Sequence, residues 1–173
     1  MNPMKNIRLE KVTINIGAGE SGPKLEKAKK LVEMITGKKV VITRTHKRTT
    51  FGMAKHRPIG VKVTLRGEEA KNFLKNVFKA VENKIKKSQF DNSGNFSIGI
   101  AEYIDLPGAR YDPEIGILGM DVAVTLERPG FRVKRRKIRP SKIGKTHMIK
   151  KEEAIEWVKK EFGVEVIEEQ VRI

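Results

Sequence analysis

The stretch Pro58-Ile59-Gly60-Val61-Lys62-Val63-Thr64-Leu65-Arg66-Gly67-Glu68-Glu69-Ala70 changes its period midway, and that change decides the fold. Ile59, Val61, Val63 and Leu65 alternate with Gly60, Lys62, Thr64 and Arg66, so a strand here buries one face and wets the other. Gly67-Glu68-Glu69 ends the alternation and opens a helix with acids in its first turn. Ala70, Phe73, Leu74, Val77, Phe78, Val81 and Ile85 then recur at helical spacing as its core-facing stripe.

The same two periods recur on either side. Val12, Ile14 and Ile16 alternate with Thr13 and Asn15 in a strand over 8–16. Pro23 follows Ser21-Gly22 as the start of a helix striped by Leu25, Ala28, Leu31, Val32 and Ile35, and Gly37 fits its left-handed C-terminal cap. Val40 to Thr45 is a β-branched strand. Residues 86–95 read as a polar loop, Phe96, Ile98 and Ile100 as a strand, and 105–116 as a turn-rich loop. Val122, Val124 and Leu126 mark another strand, and Ala154, Ile155, Val158 and Phe162 a helix over 150–162 bordered by Trp157. The order β-α-β-β-α-β-β-α, with strands apolar on one side only, predicts an α+β two-layer sandwich. Its sheet is mostly antiparallel, its helices lie on one face in the split β-α-β manner, and residues 1–173 form one domain. The open face is expected to show Thr13, Asn15, Gly60, Lys62, Thr64, Arg66, Gly99, Ala101, Ala123 and Thr125.

Charge is distributed unevenly over this scaffold. The net charge is +16 over 173 residues, yet it concentrates in two stretches that contain no acid. Arg44 to Pro58 carries Arg44, Lys47, Arg48, Lys55 and Arg57 together with His46 and His56, and has no helical or strand period. Arg128 to Lys145 carries nine cations, and its Phe131 and Val133, alternating with Arg132 and Lys134, suggest a short ribbon. The rest of the chain is close to neutral. Solubility alone does not require such segregation, whereas a polyanionic partner does. The open face lacks the aromatic row that stacks single-stranded bases, so shaped or helical RNA fits it better.

Other chemistries are poorly supplied. There is no cysteine, which excludes disulfides, thiol catalysis and cysteine-ligated zinc. Three histidines offer little for a metal site, and phosphate contact is the simpler use of His46 and His56. No cofactor or metal is expected. No apolar run approaches the roughly 18 residues of a membrane span, and the N-terminus has no signal-peptide core, which points to a soluble cytoplasmic protein. Attachment to a membrane surface would need an apolar wedge beside the basic arms, and only Phe131 is present.

Gly17-Ala18-Gly19-Glu20-Ser21-Gly22 satisfies G-x-G-x-x-G between a strand and a helix, the strongest enzyme-like feature. Against a nucleotide site, Glu20 stands where a pyrophosphate would lie, and no acid ends the second strand. Gly144-Lys145-Thr146 lacks the upstream glycine of a phosphate-binding loop, since Arg139 occupies that position. An RNA-acting enzyme using Gly17–Gly22 is the alternative to a non-catalytic RNA binder, and nucleotide binding unaffected by added RNA would favour it.

Five ordered segments carry a resemblance: 12–19 (VTINIGAG), 35–37 (ITG), 58–67 (PIGVKVTLRG), 119–122 (GMDV) and 128–137 (RPGFRVKRRK). Together they resemble the large-subunit ribosomal protein five family over nearly the whole chain. The resemblance implies a structural, non-enzymatic RNA binder that holds 5S rRNA and joins it to large-subunit rRNA in the central protuberance. It further implies a loop reaching the P-site tRNA and a surface toward a small-subunit head protein and other protuberance proteins. No homo-oligomer is expected.

Carried over by motif, Asn15 and Thr64 match 5S rRNA contacts on the open face. Thr13, Lys38, Lys39, Lys62 and Arg66 are grouped with them. Lys47, Arg48, Thr49, Thr50, Lys55, His56 and Arg57 match the tRNA-facing loop, and Arg132, Lys134, Arg135, Arg136, Lys137 and Arg139 are assigned to neighbouring rRNA. The chain departs from bacterial members in lacking a long N-terminal helix and in having Lys38 or Lys39 where they carry glutamine. Its 128–137 segment is similar to archaeal and eukaryotic members, so an archaeal-type protein is expected.

Overall fold

A computed structural model describes residues 2–48 and 54–168. The chain runs through β1 (Arg8–Gly17), α1 (Pro23–Thr36), β2 (Val41–Arg44), β3 (Pro58–Leu65), α2 (Gly67–Ala80) and β4 (Lys84–Lys86). It continues through β5 (Phe96–Ile100), β6 (Met120–Glu127), α3 (Arg132–Arg135), α4 (Lys151–Phe162) and β7 (Glu165–Ile167). Helix α1 starts and stops on glycine geometry. Gly22 caps it at φ 135°, and Gly37 closes it at φ 63° while donating its N–H to the Glu33 carbonyl at 2.8 Å.

Five strands form one sheet in the order β2-β3-β1-β6-β5, every neighbouring pair antiparallel. Helix α1 packs beside β3 and α2 beside β1. The apolar residues of β1, β3, β5 and β6 are buried together with Phe73, Leu74, Val77 and Phe78 of α2. Each such large side chain contributes about 1.5–3 kcal/mol when withdrawn from water. The result is the expected two-layer α+β sandwich.

Two local expectations change. Helix α2 ends at Ala80, and Glu82 and Asn83 turn the chain at positive φ. Ile85 therefore enters the core from β4, not from the helix stripe. That strand pairs in parallel with β7, Ile85 opposite Val166, in a second, two-stranded sheet. Phe131 and Val133 lie at a one-turn helix, α3, and not in a ribbon. Gly130 turns the chain at φ 96°, and the N–H groups of Val133 and Lys134 donate to the Gly130 and Phe131 carbonyls, local bonds that take up the groups a ribbon would offer to a partner strand. The 105–116 loop is held by buried Tyr103, whose hydroxyl accepts the Asp112 N–H at 3.0 Å.

Candidate nucleic-acid interface

Register sets the open face. Thr13 of β1 stands opposite Thr64 of β3 and Ala123 of β6, while Asn15 stands opposite Lys62 and Asp121. On the far strand, Ser97 is registered with Ala123 and Gly99 with Asp121. Two short rows thus cross the sheet, built almost wholly from small side chains, with Lys62 and Thr64 exposed. Arg66 is exposed just beyond the end of β3. Gly60, expected on this surface, is instead buried. The edge strand β2 covers it, and a Cβ there would meet the Ile16 carbonyl and the Thr43 hydroxyl, each at 2.9 Å.

Lys38 and Lys39 are exposed in the connection between α1 and β2. Lys38 is bound to Glu69 at 2.8 Å, an exposed pair that ties this connection to the first turn of α2. Such a pair adds little stability and leaves the ammonium available to other anions.

The basic loop after β2 stands on a built stem. The Thr45 hydroxyl donates to the Ala54 carbonyl at 2.8 Å and accepts the Arg57 N–H at 3.0 Å. Backbone bonds from Thr45 to the Arg57 carbonyl and from His56 to the Thr45 carbonyl complete it. Arg44, Lys47, Arg48, Lys55, His56 and Arg57 are all exposed around this stem. Thr49 and Thr50 lie outside the described residues. The glycine-rich turn serves the same stem. The N–H groups of Ala18 and Gly19 both donate to the Ile59 carbonyl, and Arg57 Nε donates to Ser21 Oγ at 3.0 Å. Amides committed to a strand end cannot cradle a pyrophosphate, so the nucleotide-site reading of Gly17–Gly22 fails on geometry.

The second basic stretch begins as structure and only then becomes surface. Arg128 is buried, donating to Glu153 at 2.8 Å and to the carbonyls of His147 and Met148 at 3.4 and 3.5 Å. The Glu153 carboxyl is held below the usual range, first by the Lys150 backbone N–H at 2.9 Å and then by Arg128. His147 Nε2 lies 2.9 Å from the Pro129 carbonyl, which requires the ring to donate from that nitrogen. Arg135 bridges Glu10 and Glu127, and Arg8 pairs with Glu127 from the other side at 2.6 Å. These bonds fasten the arm across one end of the sheet, beside a half-open cavity of about 760 Å³ whose lining includes Leu126, Phe131, Ile143 and Ile149. Thr125 lines this cavity, which removes it from the freely open part of the face. Arg132, Lys134, Arg136, Lys137 and Arg139 remain exposed. Arg136 Nε donates to the Arg139 carbonyl at 2.7 Å.

Sequence reasoning missed two members of the open face, Ser97 and Asp121, although the alternation along their strands already placed them there. It also missed the structural use of Arg128 and Arg135, because a cation cluster in sequence does not reveal which of its members meet distant acids.

A two-layer sandwich with an open sheet of small polar residues and two cationic projections has the architecture of a protein that meets a polyanion. The comparisons narrow this class. Residues 2–50 match the family described as "Ribosomal protein L5", and residues 58–157 match the model of the C-terminus of that ribosomal family. The chain is 56% identical over 171 residues to the "Large ribosomal subunit protein uL5" of Sulfurisphaera tokodaii, covering 97% of this chain and 96% of that one. The protein of the same description from Nanoarchaeum equitans is 52% identical over 168 residues (96% and 99% covered), and that from Methanococcus vannielii 50% over 171 (96% and 94%). The chain belongs to the ribosomal protein L5 family, a structural, non-enzymatic constituent of the large ribosomal subunit, and these three relatives are archaeal.

Proposed function

We propose that the open face docks 5S rRNA and helps attach it to the large-subunit rRNA of the central protuberance. The observation that carries this reading is the register of the two inner strands. Thr13 opposite Thr64 and Asn15 opposite Lys62 make one continuous patch at the middle of the open face. Small hydroxyl and amide groups there suit ribose and phosphate oxygens, and Lys39, Lys62 and Arg66 supply charge around them. Lys38 joins them from its exposed pair with Glu69.

The exposed cations of the arm, Arg132, Lys134, Arg136, Lys137 and Arg139, meet adjoining rRNA, while Arg135 acts mainly as the fastener of the arm. The loop on the Thr45 stem reaches a different RNA, the P-site tRNA, and another surface meets a small-subunit head protein. This division of labour is supported by the position of the loop, which leaves the sheet at its β2 edge.

The test is 5S rRNA binding by the full chain and by the Asn15→Ala/Thr64→Ala double variant, with footprinting of the RNA. Two lost hydrogen bonds cost about 1–2 kcal/mol in all, or roughly tenfold in affinity. An unchanged dissociation constant in a folded double variant would move the docking site off this face.

A further inference from the structure

The open face presents a carboxylate to a polyanion. Asp121 is exposed on β6, between Asn15 on one side and Gly99 on the other. It has no ion-pair or hydrogen-bond partner among the described residues. Its situation differs from that of the two glutamates at the arm end of the sheet. Glu10 is matched by Arg135, and Glu127 by both Arg8 and Arg135, and both side chains are largely covered. Three arginine contacts neutralise those acids, and none is spent on Asp121.

A carboxylate only accepts hydrogen bonds, as do phosphate oxygens, so Asp121 repels an RNA backbone and favours only an RNA group that donates. Access to it is also built in. Its registered neighbours are Asn15 and Gly99, and Ala123, Thr13 and Ser97 of the adjoining row are small. A Cβ at Gly99 would stand 3.8 Å from the Asp121 carboxylate, so anything larger than glycine begins to wall it off. A flat, shallow surface of this kind fits the wide minor groove of A-form RNA, whose donors are the ribose 2′-hydroxyl and the guanine amino group.

We infer that Asp121 is a recognition subsite on the open face for one hydrogen-bond donor of RNA, a ribose 2′-hydroxyl or a guanine amino group. The subsite works by penalty as well as by attraction. An RNA that brings a phosphate there is rejected, and one that brings a donor gains a charge-assisted bond. The inference rests on the docking of 5S rRNA by this face and deepens it, because it assigns selectivity to a residue that adds nothing to bulk electrostatic affinity.

The test compares the full-length chain with Asp121→Asn and Gly99→Val, measuring affinity for 5S rRNA and for an unrelated structured RNA of equal length. Asp121→Asn should weaken 5S rRNA binding several-fold and strengthen binding of the unrelated RNA, lowering their ratio about tenfold. Gly99→Val keeps the charge and covers it, so 5S rRNA affinity should fall without a gain for the unrelated RNA. Analogue interference then separates the two donors, using pools of 5S rRNA carrying inosine or 2′-deoxynucleotides at random positions. A position that interferes with the wild-type chain and is silent for Asp121→Asn identifies the amino group in the first pool or the hydroxyl in the second. An unchanged affinity ratio, or no position silenced in either pool, overturns the inference. A wild-type chain that binds 5S rRNA no better than the unrelated RNA overturns the docking reading beneath it.

Discussion

The guanidinium of Arg128 lies 2.8 Å from the Glu153 carboxylate, joining the root of the basic arm to the first turn of α4. The Arg128 side chain is 6% exposed and its Nε has no partner among the described residues, so its charge depends on Glu153 and two long carbonyl contacts. Glu153→Ala should lower unfolding free energy by about 1–2 kcal/mol, the figure being discounted because Glu153 is itself partly exposed. The pH dependence has a defined sign. Lys150 and Arg128 lower the Glu153 pKa in the folded state. Its contribution is therefore complete above the ordinary glutamate pKa of about 4.3 and is lost as pH falls through the lowered value. Urea unfolding should show a constant gap between wild type and variant from pH 6 to 8, closing in stronger acid.

Gly60 has a packing role where a surface role was expected. Gly60→Val puts a side chain against the Ile16 carbonyl and the Thr43 hydroxyl. The hydroxyl can swing aside, but the carbonyl belongs to the central strand. Overpacking of this kind costs about 1–3 kcal/mol. Thermal unfolding should show the loss, and amide exchange should quicken along β2 more than along β6. Equal protection in both strands would mean that the edge strand does not bear on Gly60.

The stem of the basic loop has one side-chain hydroxyl bridging its two sides. Thr45→Val keeps the shape and removes both side-chain bonds, to the Ala54 carbonyl and from the Arg57 N–H. A cost of about 1–2 kcal/mol is expected, confined to the stem. Brief trypsin treatment should then cut faster after Lys47 or Arg48 while 5S rRNA affinity stays within twofold. A matching loss of 5S rRNA affinity would place the loop inside the docking site.

Salt separates the two kinds of contact. Each cation–phosphate contact removed should reduce the slope of log affinity against log salt by about 0.7–0.9. Lys62→Ala and Arg66→Ala are expected to flatten the slope for 5S rRNA by one such step apiece. Asn15→Ala should lower the whole line and leave its slope unchanged. Filter binding between 50 and 400 mM potassium chloride is sufficient to tell these apart.

The architecture was legible because its periods are local. Val61, Val63 and Leu65 announce a one-sided strand, and the α2 stripe announces what covers it. The open-face residues followed from the same alternation, which placed Thr13, Asn15, Lys62 and Thr64 together before any register was available. What could not be read depends on distant partners. Ile85 continues the helical spacing of α2 but belongs to a strand whose mate, β7, is supplied by the far end of the chain. Arg128 and Arg135 look like their basic neighbours, yet one is buried against Glu153 and the other is spent on Glu10 and Glu127. Gly60 alternates like a surface residue and is covered by the edge strand beside it.

The place of β1 in the sheet also governs how the protein is made. It precedes the other described strands in the sequence and is the central one of its sheet, and Arg8 waits 119 residues for its partner Glu127. At about 5–20 residues per second, that leaves one edge of β1 without a neighbour for roughly 6–24 s of elongation. Throughout that interval the nascent chain carries an unpaired strand edge beside an unfinished apolar face, the combination that recruits foreign strands. A message truncated before β6 should therefore yield aggregating chains in place of a smaller folded sheet.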